Sequence, residues 1–178
     1  MALQLTDEQN LLKTAVEHFV SRDYTFDARN AVLKTGEPFS ARFWAQYAEL
    51  GWLGAGLAEE VGGFGGGPVE QAVIAEGLGR AMALEPYVSS AIMAAHGLTL
   101  LDEPERGQQT LTQLVAGETL VAVAFAEAAS RYDLHQVTTT ARPGGGEYIL
   151  DGTKLAVFDA PSADILIVAA RVAGGPRD

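Results

Sequence analysis

Residues 120–133, LVAVAFAEAASRYD, are where a helical half of the chain gives way to a strand-rich half. Val121, Val123 and Phe125 alternate as in a strand, and the run ends in a small, polar, turn-like segment carrying Glu127, Ser130, Arg131 and Asp133. Binding groups gather on irregular segments at the ends of rigid strands, where a scaffold holds the loop in place. One wall of a small-molecule site is expected here.

Upstream, the pattern is helical. Thr6-Asp7-Glu8-Gln9 reads as a capping box, and Leu12, Ala15, Val16, Phe19 and Val20 follow at helical spacing to about Asp23. Residues 24–38 show no clean period and read as loop with room for a short helix. Ser40 can cap a second helix facing inward with Phe43, Trp44, Tyr47 and Leu50, stopped by Gly51. Gly62, Gly63, Gly65, Gly66 and Gly67 then give a chain that can turn tightly. This loop lacks the dinucleotide fingerprint and a phosphate-binding lysine, and it sits beside Glu59 and Glu60, so it reads as a connection between helices. Pro68 opens a third helix running to about Met82, whose Ala72, Ala75, Gly77 and Gly79 would admit a close neighbour and whose Glu76 and Arg80 can pair. Pro86 opens a fourth, with Val88, Ala91, Ile92 and Ala95 inward, and an Asp102–Glu105 box opens a fifth, with Leu111, Leu114 and Val115, ending at Gly117. These five helices joined by short connections imply an antiparallel bundle.

Downstream the period becomes that of strands: 119–125, 134–141 with its Thr138, Thr139 and Thr140 run, 147–150 after a turn at 144–146, 153–158 after an Asp151-Gly152 hairpin turn, and 164–172. Residues 165–168 are apolar enough to be buried on both faces. Sequential antiparallel pairing, as in a meander or part of a barrel, is the expectation. The fold class is therefore α+β, a helical bundle over residues 1–117 followed by part of an antiparallel β-barrel or sheet over 118–178. Such a sheet would leave an open edge, so the chain is expected to be a fragment or to have its sheet completed by a partner.

Composition narrows the function. The 178 residues are 48% hydrophobic and 20% charged, ordinary for a globular domain. Twelve basic against 23 acidic residues, a net charge of −11, argue against nucleic acid and against an electrostatic hold on anionic membranes. Without cysteine there is no disulfide, thiolate nucleophile or thiolate metal site. The N-terminus lacks a signal-peptide pattern and no apolar run reaches the ~20 residues of a membrane span, which makes the cytoplasm the expected location. His18, His96 and His135 have no metal-ligand spacing, and no serine sits in a nucleophile elbow. Glu127 could serve as a general base or cap the turn that follows it. Trp44 and Trp52 read as core anchors.

The order of motifs goes further. EEVGGFGGG, EGLGRAM, AFAEAASRYDL, EYILDGTK and SADILIVAAR, in that order across essentially the whole chain, resemble the flavin-dependent acyl-CoA dehydrogenases. WAQYAELG, GGFGGGPVE, LEPY and SRYDLH are similar to the small-subunit branch of pimeloyl-CoA dehydrogenase. The resemblance implies a helical domain, a middle β-domain and a C-terminal helical domain, with noncovalent FAD. It also implies oxidation of an acyl-CoA thioester to the 2-enoyl-CoA: a carboxylate base takes the α-proton while the β-hydride passes to the flavin. Electrons would leave through an electron-transfer flavoprotein, and the assembly would be a homo- or hetero-tetramer. The base belongs to the third domain, beyond these residues, so the 178-residue chain alone is expected to be inactive.

The family's Thr-Glu-Pro segment over the flavin reads Ala126-Glu127-Ala128 here, and its Trp-Ile-Thr segment behind the flavin reads Ala156-Val157-Phe158. The resemblance thus implies cofactor contacts from the main chain of Phe125, Ala126, Val157 and Phe158, without the family's hydroxyls. Its glycine and serine correspond to Arg131 and Tyr132, which become substrate-side candidates, with Asp133 retained. The Arg131 cation could face a substrate carboxylate, a CoA phosphate or a flavin oxygen, or form a surface pair with Asp133 or Glu127. A second reading makes the chain a non-catalytic, pocket-completing partner in a heteromeric dehydrogenase.

Overall fold

The computed structural model describes residues 4–101 and 103–175. Helix α1 (Asp7–Arg22) starts where the capping box places it: the Thr6 hydroxyl accepts from the Gln9 amide and the Gln9 side chain accepts from the Thr6 amide. Val16 and Phe19 are buried, Leu12 and Val20 pack beside them, and Ala15 faces outward. The stretch without clean periodicity is itself a helix, α2 (Phe26–Thr35), capped by Thr25 and closed by Gly36 in the left-handed region. It buries none of its residues fully: Ala28 and Val32 pack partly against the core while Phe26 and Leu33 stay exposed, so its apolar residues mark no single face. Helix α3 (Ala41–Glu49) is capped by Ser40 and buries Phe43, Trp44 and Tyr47, while Leu50 is exposed.

The glycine-rich stretch is tightly turned: Gly63 and Gly65 donate to the carbonyls of Ala58 and Leu57. Helix α4 (Pro68–Arg80) then runs against α1. A Cβ on Gly77 would lie 2.3 Å from Val16 Cγ1, so the expected close approach occurs at this glycine. The Glu76–Arg80 pair forms at 2.8 Å on the surface. The fourth expected helix begins as a π-helix (Tyr87–Ala94) and continues as α5 (Ala95–Thr99). The wider π turn shifts the inward face: Ser89, Ser90, Ala91 and Ala95 are buried, but Val88 is exposed. Helix α6 (Pro104–Val115) buries Leu111 and Leu114 and ends at Gly117 with positive φ; the Asp102 cap expected for it lies outside the described residues. The first core is aromatic, with Phe19, Tyr47 and Trp52 rings 5.1–5.7 Å apart. Such offset or edge-on pairs contribute about 0.5–1.5 kcal/mol each beyond their buried area.

The class is α+β as expected, a helical part followed by a partial sheet part, but the strands do not pair in sequence. Strand β1 (Val121–Ala124) pairs parallel with β4 (Ile165–Val168), Val121 opposite Ile165 through Ala124 opposite Val168. The physical reason is burial. Strand β1 lies against the π-helix, where Ser90 Oγ accepts from the Val121 amide at 3.2 Å, and β4 is the apolar segment able to flank it. Asp164 fixes the register by accepting from the Leu120 amide at 2.9 Å.

Between them, β2 (Thr140–Gly144) and β3 (Glu147–Asp151) form an antiparallel hairpin turned at Gly145 and Gly146, both at positive φ. Asp151-Gly152 makes no second hairpin. Gly152 packs so closely on Thr139 that a Cβ would meet its hydroxyl at 2.4 Å, and residues 153–158 pass beside Ala126 instead of forming a strand. Residues 134–139 are irregular. Ile165 and Leu166 are exposed, against the expectation of burial on both faces, since the described residues pair β4 on one edge with β1.

Candidate functional site

The site begins where β1 ends. The buried strand delivers residues 125–127 to the surface of the helical part, with Phe125 and Ala126 half-buried and the Glu127 side chain 2% exposed. The Glu127 carboxylate is saturated. One oxygen accepts from the Thr139 amide (2.9 Å), the Thr139 hydroxyl (2.6 Å) and Lys154 Nζ (2.7 Å). The other accepts from the Thr138 amide (2.7 Å) and the Thr138 hydroxyl. Burial by itself would raise its pKa, but the Lys154 ammonium and the Thr138 and Thr139 donors outweigh it and hold the carboxyl well below the usual carboxylate range. So acidic and so fully bonded a carboxylate is a poor proton acceptor. The side chain ties Thr138, Thr139 and Lys154 together and does not cap the turn that follows it.

The turn after Glu127 is closed by Ser130 on the Glu127 main chain. The Glu127 amide donates to Ser130 Oγ at 3.1 Å, and that hydroxyl donates back to the Glu127 carbonyl at 2.9 Å. Arg131 follows at φ +46°, exposed, and Tyr132 is fully exposed. An Arg131–Glu127 pair does not form, because Lys154 already occupies that carboxylate.

Two segments distant in sequence meet here. The Leu155 amide donates to the Ala126 carbonyl at 2.9 Å, and Lys154 Nζ reaches the Phe125 carbonyl at 3.4 Å. Phe125 and Ala126 are thereby brought beside the segment carrying Val157 and Phe158, whereas Arg131 and Tyr132 stand apart on the exposed turn. Lys154, Thr138 and Thr139 are the members that sequence reasoning missed. The threonines read as a half-exposed strand and Lys154 as part of the fourth expected strand, 153–158; nothing local links positions 11 to 27 residues from Glu127.

Next to this junction lies an apolar cavity of about 460 Å³, lined by Leu78, Met82, Leu84, Pro86, Met93 and Phe158. Its lining includes a hydrogen bond from the buried Ser89 hydroxyl to the carboxylate of Asp159, a residue at φ +58°. Glu85 borders the cavity but is engaged elsewhere, accepting from the Ser40 amide and the Tyr47 hydroxyl, both at 3.2 Å. Burial pushes the Tyr47 hydroxyl far above its ordinary range, so it acts as a fixed donor. Among the described residues, no group of three or more histidine, cysteine, aspartate or glutamate side chains is arranged to hold a metal. His96 instead contacts Gln71 at 3.2 Å.

The small side chains at Ala126 and Ala156 leave the main chain approachable, and Ala156 is itself exposed at φ +49°. A flat ring bonded by backbone amides fits such a surface, with the apolar cavity beside it. The arrangement offers binding and orientation; among the described residues, the two carboxylates lining the cavity, Glu85 and Asp159, are both hydrogen-bonded to the protein.

The sequence profile of the acyl-CoA dehydrogenase N-terminal domain matches residues 6–118. The protein named probable acyl-CoA dehydrogenase YngJ, from Bacillus subtilis, is 30% identical over 180 residues, covering 100% of this chain and 47% of its own length. Mitochondrial isovaleryl-CoA dehydrogenase from Pongo abelii is 28% identical, covering 94% of this chain and 40% of its own. A chain in the crystal structure of the ChsE4–ChsE5 complex from Mycobacterium tuberculosis superimposes with a TM-score of 0.84 at 27% identity, covering 98% of this chain and 47% of that one. The chain spans about half the length of the curated relatives it matches.

Proposed function

The chain belongs to the acyl-CoA dehydrogenase family, and on that premise we propose that it is part of an FAD-dependent subunit that oxidises an acyl-CoA thioester to the 2-enoyl-CoA. The observation that carries this reading is the meeting of the two segments, Leu155 N–H to Ala126 C=O, beside the 460 Å³ apolar cavity. Main-chain amides of Phe125, Ala126, Val157 and Phe158 hold the flavin ring, and the cavity takes the acyl chain. Arg131 and Tyr132, on the exposed turn, face the CoA moiety or a substrate carboxylate. When bound, the flavin supplies the hydride acceptor. The residues described here orient the two partners and exclude water, and the proton-abstracting carboxylate comes from elsewhere in the whole protein.

Residues 1–117 form the helical domain of this assembly and 118–178 the opening of its β-domain. The small-subunit pimeloyl-CoA branch, with dicarboxylic or bulky acyl chains, is the specific form proposed. An electron-transfer flavoprotein is the electron acceptor and the cytoplasm the location. No helix among the described residues is long and apolar enough to cross a membrane. A second reading has a specific basis: Ala126, Tyr132 and Phe158 stand where the family places flavin- and substrate-side hydroxyls or small residues, and the ChsE4–ChsE5 neighbour is a two-protein complex. On that reading the chain completes a pocket whose chemistry another subunit performs.

The test is to titrate FAD into the purified protein, following quenching of flavin fluorescence, and then to add acyl-CoA anaerobically to the full-length protein. Yellow colour and substrate-dependent bleaching support the enzymatic reading. Bleaching that needs a co-expressed dehydrogenase supports the second, and no flavin uptake in either state refutes both.

A further inference from the structure

Taking the flavin face as proposed, we propose further that Lys154, held by Glu127, is a positioning residue that sets the backbone geometry of that face. The pair is buried, with 8% and 2% of the two side chains exposed. Burying two charges costs desolvation that their attraction only repays when geometry and further hydrogen bonds are good, so a buried pair is weak evidence for stability alone. Here each charge is tied to backbone. Lys154 Nζ reaches the Phe125 carbonyl, the neighbouring Leu155 amide holds the Ala126 carbonyl, and the carboxylate takes the amides of Thr138 and Thr139.

One ion pair thus joins three stretches: the end of β1, the return of the loop carrying Arg131 and Tyr132, and the segment leading to Val157 and Phe158. Among the described residues there is no cis peptide, so the Phe125–Ala126 unit is trans, with its carbonyl and amide pointing in opposite directions. Drawing the Phe125 carbonyl toward Lys154 therefore turns the Ala126 amide away from it, outward from the network and free to meet a ligand. A lysine with no role in proton transfer decides where a backbone donor points.

Two variants test this in the full protein: Lys154→Met, and the neutral double variant Glu127→Gln with Lys154→Met, which leaves no uncompensated buried charge if the single variant folds poorly. FAD affinity is read by fluorescence quenching at 10 °C, and amide hydrogen exchange is read without FAD. The double variant is expected to keep its helical circular dichroism, to lose exchange protection at Thr138, Thr139 and Leu155, and to bind FAD at least tenfold more weakly. Exchange protection that falls while FAD affinity stays within twofold of wild type overturns the inference and leaves the flavin reading standing. Unchanged protection overturns it as well. A wild-type protein that takes up no FAD brings down the flavin reading itself, and this inference with it.

Discussion

Replacing Gly77 by alanine gives a stability change whose sign depends on residue 16. In an isolated helix the substitution gains about 1 kcal/mol, because glycine pays the larger backbone entropy. Here the new methyl would sit 2.3 Å from Val16 Cγ1 and 3.4 Å from Val16 Cβ, and Val16 is 1% exposed. A β-branched side chain in a helix has essentially one χ1 rotamer, so Val16 cannot swing aside cheaply, and α1 and α4 must separate. Overpacking of this kind costs about 1–3 kcal/mol. Gly77→Ala should therefore destabilise by about 1 kcal/mol. In a Val16→Ala background the obstructing methyls are gone, and the same change should stabilise by up to about 1 kcal/mol, against the ~2 kcal/mol that Val16→Ala itself costs. The coupling is about 2 kcal/mol, well above the ~0.5 kcal/mol expected for independent sites. Urea denaturation of the four proteins measures it. An equal effect of Gly77→Ala in both backgrounds would refute the packing argument, and with it the account of how α4 is seated beside the cavity its end lines.

Other outcomes follow from the same structure. The Glu127 carboxyl is depressed in the folded state, so its stabilisation is fully present above the unfolded value near pH ~4.3 and is lost as pH falls below it toward the folded pKa. Glu127→Gln should lower stability at pH 7 and narrow its gap to wild type between about pH 5 and pH 2; parallel stability–pH curves would contradict this. Thr6→Ala removes the cap of α1 and should cost about 1 kcal/mol by denaturant midpoint, with negligible loss showing that the box contributes nothing. Tyr47→Phe deprives the buried Glu85 carboxylate of a donor and should cost about 1–3 kcal/mol in thermal unfolding, where a neutral result would mean that solvent or Tyr24 replaces it.

Legibility in the sequence followed the range of the forces involved. Helices α1, α3, α4 and α6 were readable because caps, stripes and stops lie within a few residues of each other. Helix α2 was not, since its inward face is only Ala28 and Val32, half-buried, while the larger Phe26 and Leu33 point outward and blur the period. The Gly145-Gly146 turn was local and therefore visible, whereas Asp151-Gly152 carries the same turn chemistry and is overridden by packing on Thr139. Pairing of β1 with β4 is decided by which apolar strand can lie beside a buried one, a question posed 44 residues away. At the site, the Phe125–Ala126 and Val157–Phe158 segments came from motif order. The Lys154–Glu127 pair that joins them had no local signature: Glu127 stood out at the end of a strand, but Lys154, 27 residues on, looks like an ordinary surface charge until the fold buries it.

The parallel register of β1 and β4 also orders events in time. Closing a 44-residue loop costs roughly 3 kcal/mol in chain entropy before any contact across it is formed. Strand β1 meets its partner on the other side, the π-helix with Ser90, across about thirty residues that α5 and α6 already fold back by packing on each other and on the π-helix, and joins it through a buried hydrogen bond. During synthesis β1 can therefore mature with the helices, long before β4 has left the ribosome. It then stands as a preformed template along which the later strand aligns, with Asp164 reaching the Leu120 amide to set the first rung.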